Sequence, residues 1–125
     1  MHELSVVLGI VQAVEESLSG RHISCVYTIR LKVGALSGVV EEALRFSYDV
    51  ASKGTILDGS RLDVNHIPAV IYCDICSREV ELPGVQDFSC PVCGTPSFHL
   101  RQGRELEIES LEIEEEEPTG DDANC

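Results

Sequence analysis

A chain of 125 residues with 43% hydrophobic content holds enough apolar mass for one modest core, so one domain, or a small domain with a satellite, is expected. No apolar run approaches the ~18 residues that span a bilayer, which argues against direct membrane insertion. Of the formal charge of -13, residues 105–125 carry -10, with ten acids and no Lys or Arg, so the first 104 residues, with twelve acids and nine bases, are nearly balanced.

Glu3 to Ser19 reads as an amphipathic helix, because Leu4, Val7, Leu8, Val11, Val14 and Leu18 recur at spacings of three and four and Gly20 supplies a stop. A helix that begins almost at residue 1 holds the Met1 amine, the His2 imidazole and the Glu3 carboxylate together. From Ile23 to Val33 the alternation is strict, with Ile23, Cys25, Tyr27, Ile29, Leu31 and Val33 on one face and Ser24, Thr28, Arg30 and Lys32 on the other, as in a half-buried strand. Cys25 is therefore read as a buried small hydrophobe. After Gly34-Ala35-Leu36-Ser37-Gly38 a second helix is predicted over about 39–52, with Val40, Ala43, Leu44, Ser47 and Ala51 as its stripe, flanked by Phe46 and Val50. Glu41 and Glu42 stand in its first turn, where the helix dipole favours acids.

A further strand over Arg61–His66 ends at Pro68. Short strands are expected at Glu79–Leu82 and Ser97–Arg101, on either side of a turn at Pro83-Gly84. Leu106 and Ile108 alternate, but Leu111 and Ile113 fall on the opposite phase, which predicts a bulge or bend near Ser110 in a last strand that returns to the first sheet. The order implies an α+β architecture, two helices against a three-stranded mixed sheet with an inserted small zinc-ribbon lobe. Residues 1–67 plus 105–114 form the α/β domain, 68–104 the inserted lobe, and 115–125 a disordered acidic tail ending in an unpaired Cys125.

The most specific signal is a pair of Cys-x-x-Cys knuckles, Cys73/Cys76 and Cys90/Cys93, separated by thirteen residues. Four thiolates facing one another make a tetrahedral site with no open position, the mark of a structural metal rather than a catalytic one. Met1-His2-Glu3 opens with no basic or apolar leader pattern, so a reducing, cytoplasmic setting is expected and disulfides are disfavoured. Structural zinc is the reading, with a rubredoxin-like iron site the alternative for the same geometry. A lobe of fewer than forty residues with few large apolar side chains needs such a staple.

Zinc ribbons often bind nucleic acid. Here two lysines and seven arginines form no basic run, and three Phe, three Tyr and no Trp offer little stacking, so nucleic acid is not an expected partner. His22, His66 and His99 have no spaced partner and are read as half-exposed surface residues. The N-terminus is different. The Met1 amine, the His2 amide nitrogen and the His2 imidazole converge in two chelate rings, a planar nitrogen set that suits Ni(II) or Cu(II), with Glu3 able to supply the fourth corner through its amide nitrogen or its carboxylate.

Met1-His2-Glu3-Leu4-Ser5, the Gly34-Ala35-Leu36-Ser37 turn, Glu41-Glu42-Ala43-Leu44-Arg45-Phe46 and the two knuckles, in this order and over nearly the whole chain, resemble the HypA family of nickel chaperones for [NiFe]-hydrogenase maturation. The resemblance implies a nickel metallochaperone, not an enzyme. Met1, His2 and Glu3 would bind Ni(2+) as transient cargo, and Cys73, Cys76, Cys90 and Cys93 would bind structural Zn(2+). It also implies an acidic residue at the start of the second helix near the nickel, either Glu41 or Glu42. The implied partners are a HypB-type GTPase and a hydrogenase large-subunit precursor. The acidic tail after Ile113 is outside the family pattern. The alternative is a zinc-ribbon module for protein–protein or nucleic-acid interaction without a nickel function.

Overall fold

The computed structural model describes residues 3–84 and 87–115. In chain order these form α1 (Glu3–Ser17), β1 (Ile23–Gly34), α2 (Glu41–Ala51), β2 (Arg61–Ile67), β3 (Val70–Cys73), β4 (Arg78–Glu81), β5 (Leu100–Gln102) and β6 (Leu106–Glu115). The strands make two three-stranded sheets, ordered β2-β1-β6 and β4-β3-β5. The tail from residue 116, with Cys125, lies outside the described residues.

The first sheet is mixed, as the sequence predicts. Arg30 pairs with Asp63 and the Ala35 N–H donates to the Ile67 carbonyl; the numbers rise together, so β1 and β2 run parallel. Ser24 Oγ donates to the Glu114 carbonyl and the Gly34 N–H to that of Glu105, so β6 runs antiparallel to β1. A parallel pair needs a long crossover, and α2 supplies it. The burial alternation along β6 changes phase between Ser110 and Leu111, where the apolar pattern changes phase in the sequence.

Two compact units emerge. Within the described residues, one comprises 3–31, 39–63 and 108–115 and the other 32–38 and 64–107. In the first, α1 packs against α2, and Val7, Val11, Val14, Leu18, Ile29, Leu44, Tyr48 and Leu57 are buried. Three expectations about this core need correction. Leu4 and Leu8 are about half exposed, since they occupy the first turns and the edge of the α1 stripe. On β1, Val26 is buried next to Cys25 while Tyr27 reaches the surface, where its hydroxyl bonds the Glu114 carboxylate. On α2 the buried positions are Leu44 and Tyr48; the expected Val40 is exposed, because it is the N-cap and precedes the first helical turn. Tyr48 can be buried because its phenol finds the Ser60 hydroxyl.

The second unit contains the lobe. Its central strand is β3, over Val70–Cys73. β3 pairs antiparallel with β4, in the register Tyr72↔Glu79 and Ile71↔Val80, and with β5 on its other side. The lobe's core consists of Ala69, Ile71, Cys73, Val80, Leu82 and Cys90, with Leu36, Cys76, Phe88 and Leu100 packed against it. Four aliphatic residues and two cysteines make a small core, which explains why the four-sulfur cluster matters to it.

Candidate metal centre

The knuckles are short turns that follow directly from local sequence. In the first, the Cys76 N–H donates to Cys73 Sγ at 3.4 Å; in the second, the Val92 N–H donates to Cys90 Sγ at 3.4 Å. Each turn is closed by a residue of positive φ just after its second cysteine. Gly94 takes φ 77° without strain, and Ser77 takes φ 53°, a conformation that normally favours glycine. The β3–β4 hairpin carries the first knuckle, and the Cys90 N–H to Thr95 carbonyl bond of 2.9 Å closes the second.

The four Sγ atoms all lie within 4.8 Å of one another. Cys73 and Cys93 are 3.5 Å apart and Cys76 and Cys90 are 3.9 Å apart. A tetrahedron with zinc–sulfur bonds of ~2.3 Å has edges of about 3.8 Å, so the donor set fits a closed four-thiolate metal site. Cys73 and Cys90 are buried, Cys76 is half-buried and Cys93 is exposed.

The protein prepares the sulfurs unequally. The hydroxyl of Thr95, then its N–H, stabilise the Cys93 thiolate and bring its pKa down to about 6. Backbone N–H groups, Cys93 first and then Val92, lower that of Cys90. Burial, followed by hydrogen bonds from the other three sulfurs with Cys93 foremost, pushes Cys76 up to about 12. A thiolate donor set binds metal by giving up its protons. Thr95 was not singled out in the sequence, although its place directly after Cys93-Gly94 could have indicated it.

The remaining candidates divide. Met1 and His2 lie outside the described residues. Glu3 is the first residue of α1, and its Oε2 accepts a hydrogen bond of 3.4 Å from the Val40 N–H. Val40 is the N-cap of α2 and has no side-chain cap bond of its own, so a carboxylate from α1 meets the positive end of α2. Glu41 is half-buried and ion-paired with Arg45 at 2.8 Å, whereas Glu42 is exposed. His22 and His66 are exposed. His99, also exposed, stands 3.6 Å from Asp74 in the first knuckle, a pairing that the sequence did not suggest. No helix among the described residues is long and apolar enough to cross a membrane.

Comparison with known proteins bears on the whole chain. The family model described as hydrogenase/urease nickel incorporation, metallochaperone, hypA, matches residues 1–113. A hydrogenase maturation factor HypA from Roseiflexus sp. (strain RS-1) is 42% identical over 118 residues, 94% of this chain and 96% of the relative. One from Chloroflexus aggregans is 42% identical over 115 residues, 90% of this chain and 98% of the relative. The solution structure of the Ni metallochaperone HypA from Helicobacter pylori superposes with a TM-score of 0.62 at 20% identity, covering 90% of this chain and 97% of that one; this likeness establishes the fold. On a match that starts at residue 1 and runs through both knuckles, the chain belongs to the HypA family of hydrogenase/urease nickel-incorporation metallochaperones.

Proposed function

We propose that this protein binds Ni(2+) at Met1, His2 and Glu3 and delivers it for [NiFe]-hydrogenase maturation, while Cys73, Cys76, Cys90 and Cys93 hold a structural Zn(2+). The observation that carries the reading is the reach of the family match, which begins at Met1 and so includes the Met-His-Glu start. The closed sulfur tetrahedron supports it from the other side, because four protein ligands leave no coordination position for cargo or substrate. In this reading residues 1–67 plus 105–114 handle nickel and 68–104 handle zinc. The protein is cytoplasmic and not an enzyme. Its partners are a HypB-type GTPase and a hydrogenase large-subunit precursor.

A planar terminal site suits delivery, since its open axial faces admit a recipient's ligands. Glu41 is the acid assigned beside the nickel, because it directly follows Val40, whose N–H meets Glu3, and because its carboxylate is held rather than free in solvent. Binding must displace the proton of an amine with an ordinary pKa of about 7.7 to 8.0, so affinity falls as pH drops from 8 to 6.

The test is an untagged protein beside a version extended by Gly-Ser ahead of Met1. Calorimetric titration with nickel sulfate should show stoichiometric binding only in the first, with equal zinc content in both. Equal nickel binding by the two would defeat the proposal.

A further inference from the structure

We propose that Arg45 is a positioning residue for the nickel cargo, holding the Glu41 carboxylate at the start of α2; this rests on the terminal nickel site proposed above. Arg45 makes two bonds in different directions. Its Nε donates to Glu41 Oε2 at 2.8 Å, and its Nη1 donates to the Leu62 carbonyl on β2 at 2.8 Å. An ion pair between positions i and i+4 of an exposed helix is ordinarily weak and mobile. The bond to Leu62 changes that. A guanidinium is a rigid planar fork, so fixing one tine on the β2 backbone fixes the direction of the other, and through it the rotamer of Glu41.

The place of that carboxylate gives the device its purpose. Glu3 reaches the N–H of Val40, and Glu41 is the next residue, so a strap running Leu62–Arg45–Glu41 ends one residue from the point where Glu3 meets α2. Without the strap, a glutamate has three side-chain torsions to order whenever it approaches a metal. The guanidinium also repels a dication, but at this half-exposed position solvent screens the repulsion, whereas orientation acts at contact. Residues that orient a metal's ligands typically set affinity by 10- to 100-fold.

The experiment is calorimetric nickel titration of the full chain, with the Ni(II) absorption spectrum recorded at each step, for Arg45→Ala, Arg45→Lys, Glu41→Gln and the Ala/Gln double variant. Arg45→Ala and Glu41→Gln should each weaken binding about tenfold. The double variant should be no weaker than Glu41→Gln, and Arg45→Lys should recover part of the loss. Unchanged or tighter binding by Arg45→Ala, or additive losses in the double variant, would overturn the proposal. Circular dichroism reports folding, and Arg45→Lys carries the test should Arg45→Ala unfold. His2→Ala separates the two levels. If it abolishes nickel binding while Glu41→Gln has no effect, the strap is wrong and the terminal site stands; if it binds nickel normally, the terminal site itself is wrong.

Discussion

A Cβ added at Gly34 would stand 2.1 Å from the Gly103 carbonyl oxygen and 2.3 Å from its carbon. That carbonyl accepts the Leu36 N–H at 2.7 Å, so it has no freedom to retreat. Gly34→Ala is therefore expected to cost about 2–4 kcal/mol, read as a lower urea midpoint at unchanged slope. Gly9 is the internal contrast. It lies in α1 with nothing within 4 Å of an added Cβ, so Gly9→Ala should stabilise by about 0.5–1 kcal/mol through helix propensity. The same substitution takes opposite signs at the two glycines; a destabilised Gly9→Ala or a neutral Gly34→Ala would contradict this account.

On the scale of single elements, periodicity located both helices and five of the six strands, with boundaries shifted by a few residues. Its failures have separate causes. Tyr48 is ambiguous in the sequence of α2, because a polar-tipped ring is buried only when its hydroxyl has a partner, and Ser60 comes from beyond the helix. Residues 70–73 alternate half-buried and buried positions, but four residues are too few for that alternation to stand out in a sequence. Tyr48 also yields a measurable consequence. Burial, reinforced by Asp49 and opposed by the Ser60 bond, raises its pKa above the ordinary 10.0. A raised folded-state value means stability that is whole below pH 10 and declines as pH rises through the folded value, because the unfolded chain ionises first. Tyr48→Phe should cost about 0.5–1.5 kcal/mol at neutral pH for the lost hydrogen bond and show a shallower decline above about pH 10. Part of the decline should persist, because Glu114 raises Tyr27 in the same sense. Urea midpoints taken on both sides of pH 10 would check this, and identical declines in the two proteins would refute it.

For the molecule as a whole, the proposed function assigns one metal to structure and another to carriage. Among the described residues, the lobe's buried core has only Ala69, Ile71, Val80 and Leu82 beside its two buried cysteines. Stripping the sulfur-bound metal with a strong chelator should therefore release amide protection across residues 69–102, while α1 and α2, which have their own buried apolar residues, keep theirs. Hydrogen exchange by mass spectrometry distinguishes the two regions. Protection of the lobe that survives complete metal removal would mean that the sulfur cluster is not its staple.

The sequence by itself marked out the candidate donor sets. Ligand type and spacing are covalent facts, so Cys73, Cys76, Cys90 and Cys93 could be matched to a tetrahedral site, and Met1-His2-Glu3 to a planar nitrogen set, before any fold was known. Only the tertiary structure decided which groups serve those donors. That Thr95 tunes Cys93, that Glu3 reaches Val40, and that Arg45 ties Glu41 to the Leu62 carbonyl depend on chain segments meeting in space. A hydrogen bond has force only over about 3 Å, and no spacing along a chain reveals which distant residue the fold will bring within it.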